Sequence, residues 1–309
     1  MSLEKTLLLG FIAGVTILLG LPIGRLRRPA PRLRLMLNAI AVGVLLFLVW
    51  DVLSAAWEPI DVALSDFHAG HGGLDTAFGY GLLFVAGLSV GLLGLVAYEK
   101  WMDRASNDPE ANLVDTPPES VGASPSAPPA APSGPGTLLE QAPSRTGIAA
   151  WSPARRLALL IAVGIGLHNF AEGLAIGQAA ASSEIALATL LVIGFALHNA
   201  TEGFGIVAPL TADVDADGNR LIPSWGFLLA MGAIGGGPTF IGTAVGHSFT
   251  SEVMSVIFLT LAAGSILYVV LQLVAVGAKS RRMDLLAYGV LIGLIAGFAT
   301  DAIVTAAGV

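Results

Sequence analysis

No cysteine occurs in this chain. That excludes disulfide frameworks, thiolate metal sites and cysteine nucleophiles. Charge is scarce as well: Asp, Glu, Lys and Arg make up 12% of the 309 residues, half of the ~25% usual in a soluble domain. Hydrophobic residues reach 55% and the mean hydropathy is +0.79, so lipid is the solvent this composition suits. A soluble enzyme is excluded, and so is a disordered chain. The net charge of −7, without a basic cluster interleaved with aromatics, excludes nucleic acid as a partner.

What is abundant is apolar sequence in runs of membrane length. A membrane helix needs about 20 apolar residues. Eight such segments are expected, at 6–24, 35–57, 78–99, 155–180, 184–210, 223–249, 252–277 and 284–308. The first has one lysine before it and five arginines soon after. A cleaved signal peptide has the reverse charge order, so this segment reads as a retained helix. The cations test the count. Arg25, Arg27, Arg28, Arg32 and Arg34 follow segment one; Lys100, Arg104, Arg145, Arg155 and Arg156 lie in the loop between three and four and its margins; Arg220 lies between five and six; Lys279, Arg281 and Arg282 lie between seven and eight. Of the 15 Lys and Arg only Lys5 falls elsewhere. Cations on alternate loops mark those loops as cytoplasmic. The expectation is an all-α integral membrane protein, an eight-helix bundle with both termini outside, placed in the plasma (inner) membrane.

Residues 103–150 differ from the rest. The stretch "ASPSAPPAAPSGPG" cannot bury enough apolar surface to fold. It reads as a disordered cytoplasmic linker between helices 1–3 (1–102) and helices 4–8 (151–309) of one transport domain. The stretch 58–77 carries Glu58, Asp61, Asp66, His68, His71 and Asp75 and no Lys or Arg. It reads as a solvated acidic outer loop or as a vestibule that concentrates cations. "DVDADG" (Asp213, Asp215, Asp217, Gly218) matches the start of a calcium loop, but position 12 would be Ser224 where a bidentate Glu is required. A polar turn capping helix five is the expectation there.

The informative feature is a near-repeat 30 residues apart. Segment four reads "LHNFAEGLAIG" and segment five "LHNATEGFGI", both with His-Asn-x-x-Glu-Gly inside an apolar run. On a helix, residues i and i+4 share a face, so His168 lies over Glu172 and His198 over Glu202. Asn169 and Asn199 lie about 100° round. A charged group in the hydrocarbon core costs about 2.5–3.5 kcal/mol on insertion scales, so these residues must face the bundle interior and find partners. The two segments are antiparallel, and each motif lies a similar distance from the turn near Ser182. Two imidazoles, two carboxylates and two amides can therefore converge. Facing carboxylates repel, and a divalent cation removes that conflict. Imidazole with carboxylate suits zinc, iron, manganese or cobalt. A purely structural hydrogen-bond network is the alternative. Gly173 and Gly203, which follow each Glu, either permit close packing or loosen the helix as in broken transporter helices.

At these residues the sequence resembles the ZIP (Zrt/Irt-like protein) family of divalent-metal transporters. The resemblance implies eight helices, a variable cytoplasmic loop after helix three, and a mid-membrane site with His168, Asn169, Glu172, His198, Asn199 and Glu202 as metal ligands. It implies movement of metal into the cytoplasm, with zinc first and iron, manganese or cadmium as further substrates, and no organic cofactor. "LAAGSILYVV" in segment seven is similar to the family's helix-seven pattern. Three positions depart from the family. Ala171 and Thr201 stand where the signature has proline. Gly237 precedes Pro238 where members with two metals have Glu, leaving one or two ions open. Gln272-Leu273 replaces a His-Glu pair late in helix seven, which makes the inner exit less acidic. Asp51, His247 and Asp301 are further intramembrane candidates for the pathway. The alternative readings are an intramembrane metal-dependent hydrolase, which lacks the His-Glu-x-x-His order here, and a non-transporting metal-binding homologue. Abundant small-residue faces suit a homodimer.

Overall fold

The computed structural model describes residues 1–26, 31–106, 148, 151–182, 185–215, 217–248 and 251–306. Beyond Ser106 the expected linker falls, apart from residue 148, outside the described residues. Eight helices follow in order: α1 (Leu3–Val15), α2 (Pro31–His68), α3 (Leu74–Ser106), α4 (Pro153–Ala181), α5 (Ile185–Val207), α6 (Trp225–Ser248), α7 (Glu252–Ala278) and α8 (Met283–Ala306). Beyond α1 the first span continues as 3-10 turns to Arg25, and all eight spans are long and apolar enough to cross a membrane. No strand forms among the described residues; one isolated antiparallel bridge joins Val214 and Arg220.

Local chemistry sets several boundaries. Pro31 and Pro153 open α2 and α4, where the missing N–H costs nothing. Ser152 caps α4 by accepting from the Arg155 N–H, and Ser251 caps α7 through Met254. The stretch 58–77 is a correction: α2 runs on to His68, with Pro59 inside it, and α3 starts at Leu74. At 1.5 Å per residue α2 is about 57 Å long, well beyond the ~30 Å hydrocarbon core. Glu58, Asp61 and Asp66 therefore line a groove on a helix with Ser54 and Ala55 rather than belonging to a loop. The "DVDADG" turn is built by Asp215, whose Oδ1 accepts the N–H groups of Asp217 and Asn219 at 3.0 and 2.7 Å. Gly218 takes φ +80°, which glycine tolerates without strain. Asp213 pairs with Arg155 of α4 at 3.0 Å instead of capping helix five.

Glycine packing divides the bundle into two groups. In the first, Gly166, Gly173 and Gly177 of α4 face the backbone of α6 at Ile234, Thr239 and Thr243, and Gly242 and Gly246 of α6 face Phe170 and Leu174 of α4. Gly14 meets Gly236 of α6, and Gly20 meets Gly203 of α5. In the second, α2 meets α8 through Gly43 and Gly293, and α3 meets α7 through Gly91 and Gly264. A Cβ at any of these positions would collide with backbone, which does not yield. Between the groups the approach is through side chains: Gly164 faces Val269, and Gly205 faces Leu273. Gly173 and Gly203 thus serve packing, and α4 and α5 run unbroken through their motifs with no loosened turn.

Candidate metal site

All six motif residues are buried, from Asn169, Asn199 and Glu202 at 0% exposure to His198 at 8%. The shared helix face brings His168 Nε2 to 2.9 Å from Glu172 Oε1. The antiparallel pairing of α4 and α5 adds the cross-helix approaches. His168 Nε2 stands 3.8 Å from Glu202 Oε1, and His198 Nδ1 4.0 Å from Glu172 Oε1. Asn169 Nδ2 donates to Glu202 Oε2 at 3.3 Å. These approaches bring together His168, Asn169, Glu172, His198 and Glu202, whereas the hydrogen bond of Asn199 runs to α1.

The asparagine nitrogens are committed to backbone. Asn169 Nδ2 donates to the Gly235 carbonyl of α6, and Asn199 Nδ2 to the Ala13 carbonyl of α1, each at 2.9 Å. A carbonyl only accepts, so each amide must present nitrogen to it and keep oxygen for the interior. Both Oδ1 atoms lack a hydrogen-bond partner among the described residues, as do Glu202 Oε1 and both ring nitrogens of His198. Unsatisfied buried polar atoms cost about 1–3 kcal/mol each, so this many in one place calls for a missing partner. The side chains are near one another but not closed round a point: no three His, Asp or Glu among the described residues already form a coordination shell.

A cavity of about 250 Å³ adjoins the cluster. Its polar lining is His168, Glu172, His198, Asp51, Thr300 and Asp301. Asp51 of α2 and Asp301 of α8 thus reach the same space as the motif. His247 does not line it; its backbone packs beside Gly177 of α4. The cavity extends from mid-helix toward the end of the bundle that carries both termini, where the Met1 ammonium donates to the Ala180 carbonyl. Phe47 and Phe195 stand 6.2 and 6.4 Å from the His198 ring and form its apolar wall.

A second cavity of about 700 Å³ opens at the opposite, linker end. On α2 the first cavity is lined from Phe47 to Ala55 and the second from Pro31 to Asn38; on α4 the ranges begin at His168 and end at Leu157. Between them lie Val42, Val44, Leu45, Ile161 and Ile165 of the main apolar core. The site cavity lies on the terminal side of this apolar layer, which separates it from the linker-end cavity.

Some polar partners were not visible in the motif pattern. Thr300 lines the site cavity, and Glu99 of α3 accepts from the Tyr268 hydroxyl at 2.8 Å and from the Gln272 amide at 3.2 Å. The departure at Gln272 therefore sits beside a carboxylate supplied by another helix. The signal for Glu99 was an ionisable residue at the end of an apolar segment, which is informative by default.

No curated protein matches this chain. The ZIP zinc transporter family matches it over residues 1–305; the chain belongs to that family and is a membrane transporter of divalent metal cations, not an enzyme.

Proposed function

We propose that the protein carries zinc, with iron(II), manganese or cadmium as further substrates, from outside into the cytoplasm, and that His168, Asn169, Glu172, His198, Asn199 and Glu202 hold the ion midway. The observation that carries this is the set of buried, unpartnered nitrogen and oxygen atoms beside a cavity. Imidazole favours transition metals over magnesium, and the two carboxylates offset the ion's charge in a medium of low dielectric. A hydrogen-bond network that only fixed packing would have satisfied its own members.

The direction rests on the alternate placement of Lys and Arg, which puts the termini outside and the linker in the cytoplasm. The plasma membrane is the setting we propose. The ion reaches the site past Asp51 and Asp301, whose charges attract it as it sheds water. The His/Asn/Glu set belongs wholly to α4 and α5 and is tied by hydrogen bonds to α1 and α6. Sliding of this group against α2, α3, α7 and α8 across their side-chain boundary would carry the site past Val42 and Leu45, the α2 side of the apolar layer, the form of alternating access that packed repeats allow.

The test is uptake of zinc, cadmium, manganese and iron(II) into proteoliposomes. Uptake by the wild type that falls at least 100-fold in Glu172→Ala/Glu202→Ala is expected. Wild-type flux in that variant would overturn the site. Stoichiometric metal binding without flux would favour the non-transporting reading.

A further inference from the structure

The first span is an α-helix only to Val15, and from Thr16 to Leu19 it tightens into a 3-10 turn. Gly14 precedes the change, and Gly20 and Pro22 follow it in the same run of 3-10 turns, but none of them singles out residue 16. The structure gives a local cause. The Thr16 hydroxyl donates to the Ala13 carbonyl at 2.6 Å. A hydroxyl that bonds back into the preceding turn competes with the backbone and bends a helix. The same Ala13 carbonyl receives Asn199 Nδ2 at 2.9 Å. Other hydroxyls bond back in this bundle, among them Thr243 to Thr239 and Thr300 to Ala296. Among the described residues, Ala13 offers the one carbonyl that takes both such a hydroxyl and a motif side chain.

We infer that Thr16 is a positioning residue for the metal site: by turning the Ala13 carbonyl out of α1, it fixes Asn199 with its Oδ1 toward the ion. This rests on the carrier reading above and adds a residue from a helix that contributes no ligand. The surroundings hold the arrangement in place. Ala13 and Ile17 are fully buried. Gly14 lies against the Gly236 backbone of α6, and Gly20 against Gly203, the glycine that follows Glu202. The bend is therefore clamped between the two helices whose side chains and carbonyls frame the site. An amide locked by one donor bond offers its oxygen in one direction without further loss of freedom, which is the advantage of preorganisation. The consequence is a bias in metal choice. A fixed carbonyl-type oxygen serves oxygen-preferring manganese more than imidazole-preferring zinc.

The experiment is a double-mutant cycle on the purified full-length protein, with Mn²⁺ and Zn²⁺ binding measured separately by equilibrium dialysis. Thr16→Val keeps the shape and removes the hydroxyl. It is expected to weaken Mn²⁺ about tenfold and Zn²⁺ about twofold, and Thr16→Ser to restore both. Asn199→Ala is expected to give the same Mn²⁺ loss, and the double variant no further loss, because coupled residues are non-additive. Thr16→Val that binds as wild type, or losses that multiply in the double variant, would overturn the role of Thr16. Equal losses for both metals with no rescue by serine would show a general packing defect and overturn it too. Wild-type protein that binds neither metal would instead overturn the carrier reading itself.

Discussion

The two helix groups are built from the same kinds of residue yet are specialised differently. In the α1/α4/α5/α6 group the glycines bring backbone against backbone around six buried polar side chains. In the α2/α3/α7/α8 group similar glycine contacts join the helices in pairs, and toward the site they present apolar side chains plus Asp51, Thr300 and Asp301. α3 and α8 are also the least buried spans, at 17% and 22%, so this second group carries much of the lipid-facing surface. The difference teaches that the polar site is framed by close backbone contacts on one side and by side-chain contacts on the other, the boundary along which the proposed movement would run.

The comparison can be broken most strongly at the frame. Gly173→Val would drive a side chain into the Thr239 carbonyl. We expect loss of the monodisperse protein in detergent gel filtration and of all uptake, whereas Gly79→Val, with open space around it, leaves both intact. Monodisperse, active Gly173→Val would refute the backbone-close frame. A smaller effect is expected at the wall. Asp51→Asn/Asp301→Asn should raise the half-saturating metal concentration about tenfold with little change in maximal uptake. A fall in maximal uptake alone would place these carboxylates after the binding step. The smallest effect is expected away from the site. Glu99→Gln keeps one acceptor oxygen but takes away its charge, and hydrogen bonds to charged groups are worth about 1.5–3 kcal/mol against about 0.5–1.5 for neutral ones, so the thermal midpoint should drop by a few degrees while half-saturation stays put. An altered half-saturation would give Glu99 a part in the ion's path.

Much of this was legible in the sequence because its signals were redundant. The first His-Asn-x-x-Glu-Gly motif brings its i and i+4 side chains together, whereas in the second His198 approaches Glu172 of the antiparallel helix, which the motif's own spacing does not specify. Cations on alternate loops counted the spans independently of hydropathy. The end of α2 was not legible, because Pro59 and a run of acids look like a loop, although a helix leaving the membrane can carry both. The asparagines' backbone partners were also hidden: no pattern announces that Ala13 or Gly235 lends a carbonyl. The 3-10 turn at Thr16 lies in an apolar stretch whose breakers, Gly14, Gly20 and Pro22, do not single out that residue. The calcium-like "DVDADG" matched because a tight turn with Asx hydrogen bonds uses the same residues as a calcium loop's start.

Zinc K-edge absorption on the metal-loaded protein tests the central claim most directly. The account predicts a nitrogen/oxygen shell at about 2.0–2.1 Å with imidazole scattering, which disappears in His168→Ala/His198→Ala. A shell of oxygens without imidazole, or one unchanged in that variant, would contradict it.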